Sequence, residues 1–255
     1  MSAVRLQIDG AIARIVLDNP AKLNALTVEM LAQLEDACTT LERSPLVRVV
    51  LITGEGERAF CAGADIGGWG GLPPTDFART WVREGHRIYD RLARLSKPTI
   101  AVLHAHAFGG GLELAACADI RVMAPGATLA LPEAKVGIVP GWGGTTRLLR
   151  LLPEAMVKEM ALFGRRITAE RAQALGFVAE VSDNPLATAL AMAKQAITAS
   201  PRAHEVAKYQ IHAAVGEDRS AMIEALGGGM IGATDDKAEG VSAFAEKRSP
   251  DFRGT

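Results

Sequence analysis

The sequence predicts a mixed α/β fold with a helical C-terminal part, and three observations carry that prediction. Apolar runs rich in β-branched residues, such as VRVVLIT at 47–53 and TIAVL at 99–103, alternate with helix-period segments up to about residue 140. Beyond that point almost every segment has helical periodicity. Pro153, Pro185 and Pro201 then mark the breaks between helices, and Gly176 marks a helix C-terminus.

At 255 residues the chain fits one large domain, or one domain with a helical appendage. Hydrophobic residues at 49% and charged residues at 22% exclude a disordered chain. A formal net charge of −1 gives no argument for nucleic acid or an anionic membrane surface. Cys38, Cys61 and Cys117 are odd in number and widely spaced, which points to reduced core thiols of a cytoplasmic protein. The N-terminal residues alternate in polarity, unlike a signal segment, and no apolar run approaches the roughly 18 residues of a membrane span. The expectation is a cytoplasmic protein with no membrane and no nucleic-acid partner.

Val4, Leu6 and Ile8 alternate with Arg5, Gln7 and Asp9, and Asp9-Gly10 is a turn pair, so residues 11–17 return as the second strand of a hairpin. Asn19-Pro20 breaks that strand and PAKLNAL forms a loop. Thr27 then caps a helix to about Arg43 whose apolar face is Met30, Leu31, Leu34, Ala37, Cys38 and Leu41. A buried strand spans 47–53 and a polar loop follows. FCAGADI at 60–66 is rich in small residues and reads as irregular, and GGWGGLPPT is the most flexible-looking segment. A long helix runs from near Thr75 to about Leu95, carrying Phe77, Trp81, Ile88, Tyr89 and Leu92. In the last third, six helices are expected at 145–152, 154–163, 168–175, 186–199, 202–215 and 220–231, with one strand at 177–181.

The stretch from His104 to Gly144 is where chemistry concentrates. The strand at 99–103 leads into Gly109, Gly110 and Gly111, then into an apolar helical segment at 112–118 that carries Glu113. A second acid, Glu133, sits in LPEAKVG ahead of the turn that contains Gly141, Trp142, Gly143 and Gly144. Acids in stretches this apolar are costly to bury unless something pairs with them, which suggests a site. Glycines between a strand and a helix let backbone N–H groups approach a ligand, but the triplet alone fits a tight turn equally well. It matches neither GxGxxG nor a GK[ST] phosphate loop. FCAGADI is either a packed turn or a second N–H donor facing the triplet, and spacing favours packing. Two acids beside glycine or proline turns are able to share a water and divide base and acid duties. Asp119, Lys135 and Asp65 read as structural partners or surface charges. His104 and His106 have no third ligand nearby, so packing or hydrogen bonding is expected of them and no metal. No GxSxG elbow is present. Trp69, Trp81 and Trp142 are candidates for an acyl pocket, although a Trp is more often core or interface.

Taken together, NPAKLNAL at 19–26, AFCAGADI at 59–66, KPTIAVLHAHAFGGGLELAACADIRV at 97–122, LPEAKVGIVPGWGGTTRL at 131–148 and the tail SAFAEKRSPDF at 242–252 resemble the crotonase superfamily, most of all its enoyl-CoA hydratases. The resemblance covers nearly the whole chain. It implies a ClpP/crotonase-like spiral of ββα units at 1–195 holding the active site. A C-terminal helical region at 196–255 would then assemble a homotrimer or a homohexamer (a dimer of trimers).

The same resemblance implies that the backbone N–H groups of Ala64 and Gly110 form the oxyanion hole for a thioester carbonyl. Glu113 and Glu133 match the two catalytic glutamates. Gly141 matches a glycine whose N–H helps hold the reacting water. Lys22, Leu23, Ala25, Ala62 and Ile66 match positions that cradle coenzyme A, and Asp65 and Trp142 are counted with the substrate-binding residues. The implied reaction is hydration of a trans-2-enoyl-CoA to a 3-hydroxyacyl-CoA, with Glu113 as base and Glu133 as proton donor. No metal and no cofactor is implied, because coenzyme A is part of the substrate. Fatty-acid oxidation, phenylacetate-type degradation and amino-acid catabolism all fit these residues.

Two features depart from the common pattern. Gly67, Gly68, Trp69, Gly70 and Gly71 replace a lysine-containing helix start, and Trp142 replaces a small residue. The alternative within the superfamily is an isomerase or another acyl-CoA lyase acting on an unusual acyl group, and isomerases generally manage with one acid. The RNA-binding member needs a basic stripe, whereas the helix at 27–43 carries Glu29, Glu35, Asp36 and Glu42 against one Arg.

Overall fold

In a computed structural model, which describes residues 2–255, the strands form two sheets, and from the third strand onward they alternate between them up to the eighth. Strand β1 (Ala3–Asp9) pairs antiparallel with β2 (Ile12–Asp18) in the expected hairpin. Helix α1 (Val28–Arg43) begins at Thr27, whose side chain accepts the Met30 N–H, and it buries the six apolar residues its periodicity marks. Strand β3 (Val49–Gly54) follows, then β4 (Ala59–Cys61), the ordered start of the segment expected to be irregular.

Where the glycine-rich segment begins, α2 (Ile66–Trp69) forms one short turn capped by Asp65. The long helix expected at 75–95 is a rod in three parts, α3 (Pro74–Asp76), a π-helical turn Phe77–Val82 and α4 (Arg83–Ala93). Strands β5 (Thr99–Leu103) and β6 (His106–Phe108) lead to α5 (Gly110–Ala115). Strands β7 (Ile120–Met123) and β8 (Thr128–Ala130) lead to a 3-10 turn, Glu133–Val136.

The first sheet has the order β1-β2-β3-β5-β7 and ends on a later strand, and the second holds β4, β6 and β8 as parallel neighbours. The first hairpin gives both its strands to the first sheet, and from β3 onward successive strand pairs give one strand to each sheet and advance by one position, which generates a spiral. Both faces of the central strands are buried, so their runs are apolar throughout. Val50, Ile52, Ala101 and Leu103 enter the main core, while Val49, Leu51, Ile100 and Val102 face a second core.

Helices α6 (Gly144–Leu151) and α7 (Glu154–Phe163) come next, followed by β9 (Ile167–Thr168), α8 (Ala169–Ala174), β10 (Glu180–Val181) and α9 (Pro185–Ala196). The strand β9, absent from the sequence expectation, closes the second sheet antiparallel to β8, and β10 closes the first. The strand expected at 177–181 is ladder-paired only at its last two residues. Arg121 accounts for the rest: its buried guanidinium donates to Phe177 O at 2.5 Å and lies over the Phe177 ring. Ala189 and Ala193 of α9 cover the second core.

Contacts divide the chain into two units, residues 1–201 and 202–255. The second unit comprises most of α10 (Pro201–Ala214), then α11 (Arg219–Gly232) and α12 (Asp235–Glu246), a seventh helix in the last third beyond the six expected. Its C-terminal residues fold back on α12, with Arg253 N and Gly254 N donating to the Asp236 carboxylate at 2.7 and 2.9 Å. Among the described residues no helix is long and apolar enough to cross a membrane.

Candidate active site

The turn from β6 into α5 requires glycine at its first position. Gly109 sits at φ 51°, ψ −126°, a conformation that L side chains rarely adopt. Its N–H donates to Ala130 O at 2.9 Å, and its carbonyl accepts the Glu113 N–H at 3.0 Å to start α5. The Gly110 N–H is thereby left as an orphan donor of the first helical turn. Across from it, Leu26 takes both bonds of a parallel bridge, from its N–H to Gly63 O and from Asp65 N to its own carbonyl, each 2.8 Å. The N–H of Ala64, between those two, points away from Leu26. A Cβ built on Gly110 would lie 3.5 Å from Ala64 N, so the two backbones are in contact. Among the described residues neither N–H has a protein acceptor.

Glu113 is buried, and its Oε1 accepts two backbone N–H bonds, from Trp142 at 2.9 Å and Gly144 at 2.8 Å. Burial raises its pKa above the ordinary carboxylate value, while the Gly144 and Trp142 N–H groups and the Arg147 charge pull in the other direction. Glu133, first residue of the 3-10 turn, is buried with neither carboxyl oxygen hydrogen-bonded among the described residues. Burial, with a contribution from the Glu113 charge, pushes it up to about 7.

A cavity of about 330 Å³ brings these groups together. Of the sequence-predicted site residues, Ala62, Ala64, Ile66, Gly110, Glu113, Glu133, Gly141 and Trp142 line it. Lys22, Leu23 and Ala25 are on the adjoining loop, and Asp65 stands between the lining residues Ala64 and Ile66. Ala62 N donates to Leu23 O at 2.9 Å, which ties that loop to the cavity edge, and Ala25 N donates to Lys22 O at 3.0 Å within the loop. Leu23 lines a separate hollow with Pro20 and residues 55–59. Lys22 pairs with Asp65 at 2.7 Å and holds its carboxyl below the usual range.

Asp119 is a structural partner as expected, accepting from Thr99 N at 2.7 Å. His106 is stacked on Phe108, and its Nδ1 accepts the Thr128 N–H at 3.1 Å. Among the described residues no three His, Cys, Asp or Glu side chains gather as metal ligands. The three cysteines are buried and unbonded to one another.

Several supporting residues escape the sequence reading. Tyr89 is fully buried and its hydroxyl donates to Gly110 O at 2.8 Å, steadying the turn whose N–H faces the cavity. Arg147 is buried, donates to Trp142 O at 2.9 Å and pairs with Asp90, bracing the turn that holds Glu113. A cation inside the apolar run TTRLLRL was the available signal, since burial demands a partner. Asn24 is buried at φ 57°, accepts from Asn19 N at 2.9 Å and donates to Ala59 O at 3.0 Å. Asparagine in a loop is a candidate for that left-handed conformation.

Comparison with known proteins identifies the family. A profile of the family described as enoyl-CoA hydratase/isomerase matches residues 7–255. The (E)-benzylidenesuccinyl-CoA hydratase of Thauera aromatica is 34% identical, over 98% of this chain and 99% of that protein. The carnitinyl-CoA dehydratase of Salmonella typhi is 37% identical, over 99% and 98%. A crystal structure of an enoyl-CoA hydratase from Bacillus anthracis superimposes with a TM-score of 0.81 at 32% identity, covering 99% of each chain. The chain belongs to the enoyl-CoA hydratase/isomerase family of the crotonase superfamily and has the crotonase fold. It is an enzyme of that family.

Proposed function

We propose that this enzyme adds water across the C2–C3 double bond of a trans-2-enoyl-CoA to give a 3-hydroxyacyl-CoA. The observation that carries the reading is the unlike pair of buried carboxyls on one cavity. Glu113 is held at one oxygen by two N–H groups, and Glu133 has no partner and a pKa near 7. Burial raises both acids, but only Glu113 has two N–H groups and the Arg147 charge favouring its ionised form, and this unlikeness assigns it as base and Glu133 as acid.

In the proposed reaction the thioester oxygen sits between the Ala64 and Gly110 N–H groups. Glu113 takes a proton from water held near Gly141, and the water oxygen bonds to C3. The C2–C3 π electrons move through C1 to the thioester oxygen as an enolate. Each N–H donor typically lowers that barrier by about 3 kcal/mol. The enolate then collapses, and C2 takes the proton of Glu133. Proton exchange with solvent restores both carboxyls. Lys22, Leu23, Ala25, Ala62, Asp65 and Ile66 form the entrance at which coenzyme A is held, and no metal or further cofactor takes part.

The relatives named for acyl-CoA hydration or dehydration, including a crotonyl-CoA hydratase of Syntrophomonas wolfei at 34% identity, support this reaction class. The helical unit exposes Met230, Ile231, Val241 and Phe244, the last at 88%, which supports its use as a subunit contact in a homotrimer or homohexamer. A cytoplasmic role in fatty-acid metabolism accords with the reaction.

The test follows loss of enoyl thioester absorbance with crotonyl-CoA for wild type, Glu113→Gln and Glu133→Gln. Activity in wild type with a loss of ~100-fold or more in each variant supports two-carboxylate hydration. Crotonyl-CoA left untouched by wild type would remove the short-chain hydratase reading.

A further inference from the structure

The indole of Trp142 is seated from several sides. Its Nε1 donates to Trp81 O at 3.2 Å, within the π-helical turn, an irregularity often found at functional sites. Its ring meets those of Trp81 and Tyr89 at centroid separations of 5.1 Å, tilted by 52° and 56°. A Cβ on Gly110 would come within 3.0 Å of Trp142 Cζ3, so the six-membered ring lies against the turn that presents the Gly110 N–H.

The opposite edge depends on a glycine. A Cβ at Gly85 of α4 would stand 2.2 Å from Trp142 Nε1 and 2.4 Å from Cε2. Any other residue there would force the indole to move. Gly85 is buried and stands four residues after Trp81, so one stretch of α4 and its π turn supplies both the socket and the hydrogen-bond acceptor. Trp142 also lines the catalytic cavity. The indole is thus the partition between the cavity and the helix behind it.

We propose that Trp142, seated on Gly85, fixes the depth of the acyl end of the cavity and makes the enzyme select short acyl groups over long or bulky ones. The proposal rests on the reading that the cavity takes an acyl thioester. Removing the indole would extend the cavity into an apolar space walled by Trp81 and Tyr89, and dry apolar cavities of about 150 Å³ take up a molecule as large as benzene. Filling the socket has the opposite effect, since a methyl group at position 85 pushes the indole into the cavity. The backbone N–H through which residue 142 holds Glu113 is present in every variant, so acyl selection is separable from the catalytic bond.

The experiment measures kcat/KM for trans-2-enoyl-CoAs of four to ten carbons and for cinnamoyl-CoA, in wild type, Trp142→Ala, Gly85→Ala and the double variant, each with a thermal melt. Trp142→Ala is expected to raise the eight-carbon to four-carbon ratio by about tenfold or more, the scale on which pocket volume discriminates. Gly85→Ala is expected to lower the ratio, and the double variant to recover it, a non-additivity that contact between the two residues predicts. Binding of saturated butyryl-CoA and octanoyl-CoA reads the same depth without turnover. An unchanged preference by both readouts in a folded Trp142→Ala would overturn the proposal. No hydration of any substrate by wild type would instead sink the reaction proposed above, with the binding ratio still deciding the depth.

Discussion

Glu133→Gln gives the sharpest physical test, because it separates the dryness of the site from its chemistry. In the folded chain the Glu133 carboxyl is buried without a hydrogen-bond partner among the described residues, and its pKa rises from 4.5 to about 7. An acid raised in this way favours the folded state relative to the unfolded one while it is protonated. That advantage is complete below the unfolded value and is lost as pH climbs through the folded one. At 1.36 kcal/mol per pH unit, the difference between 4.5 and about 7 amounts to about 3 kcal/mol against the folded wild type by pH 8.

For a chain of this size each kcal/mol is worth about 2–4 °C in Tm, so the penalty is about 6–12 °C. Glutamine stays neutral, and whatever its amide costs in the same place does not vary with pH. Melting curves of wild type and Glu133→Gln from pH 4.5 to 8.5 therefore give a difference that is flat at the acid end. The difference grows in favour of the variant between about pH 5 and 7 and levels off above 7. A difference that stays constant through this window would show that Glu133 ionises as an ordinary carboxyl, and the assignment of its proton to catalysis would fail with it.

Three further outcomes follow from the same geometry. The kcat/KM for hydration should fall as pH rises through about 7, where Glu133 loses the proton it donates, and Glu133→Gln should abolish that alkaline limb of kcat/KM while leaving an acid limb that reports Glu113. Tyr89→Phe removes the 2.8 Å bond to Gly110 O; it should cost about 1 kcal/mol of stability and lower kcat more than it raises KM. A change in KM alone would remove Tyr89 from the support of the oxyanion turn. Arg147→Met strips a partner from Trp142 O and one of the partners of Asp90, which keeps His86 and Arg94; calorimetry should show a loss of about 2 kcal/mol, together with reduced kcat as the turn holding Glu113 loosens. An undiminished kcat in that variant would show that the turn holds itself.

What was legible in the sequence is what local physics decides. The Thr27 cap and the six buried residues of α1 follow from spacing alone, and so do the apolar central strands, whose two faces meet two cores. The failures are non-local. Strand β9 is two residues long and exists only because β8 lies beside it, so no periodicity announces it. Helix α12 carries a Thr234 cap, but Ala243 is its one buried residue, and it offers no core-facing stripe to detect. The segment 60–66 illustrates the limit most clearly. Its spacing favours a packed turn, and only the pairing with Leu26 turns the Ala64 N–H toward Gly110. Likewise Glu113 meets Trp142 N across 29 positions and Arg147 meets Asp90 across 57, separations at which a single sequence carries no pairing signal.

The division of labour between the two glutamates follows from what surrounds each rather than from the residue type. Glu113 extends from α5 toward the turn at 142–144, whose N–H groups both point at one of its oxygens with the Arg147 charge behind them. Those dipoles favour the ionised form, and burial opposes them. Glu133 leaves β8 through Leu131 and Pro132 and lines the cavity, where burial outweighs the pull of its own backbone N–H and the Glu113 charge adds to it, so the proton stays on it near neutral pH. Exchanging the two surroundings would exchange the two roles. A hydrogen-bond donor placed beside Glu133 would begin that exchange. It would stabilise the carboxylate, lower its pKa and remove the proton that C2 requires. The missing hydrogen bond at Glu133 is therefore a requirement of the proposed mechanism, in the same way as the two bonds at Glu113.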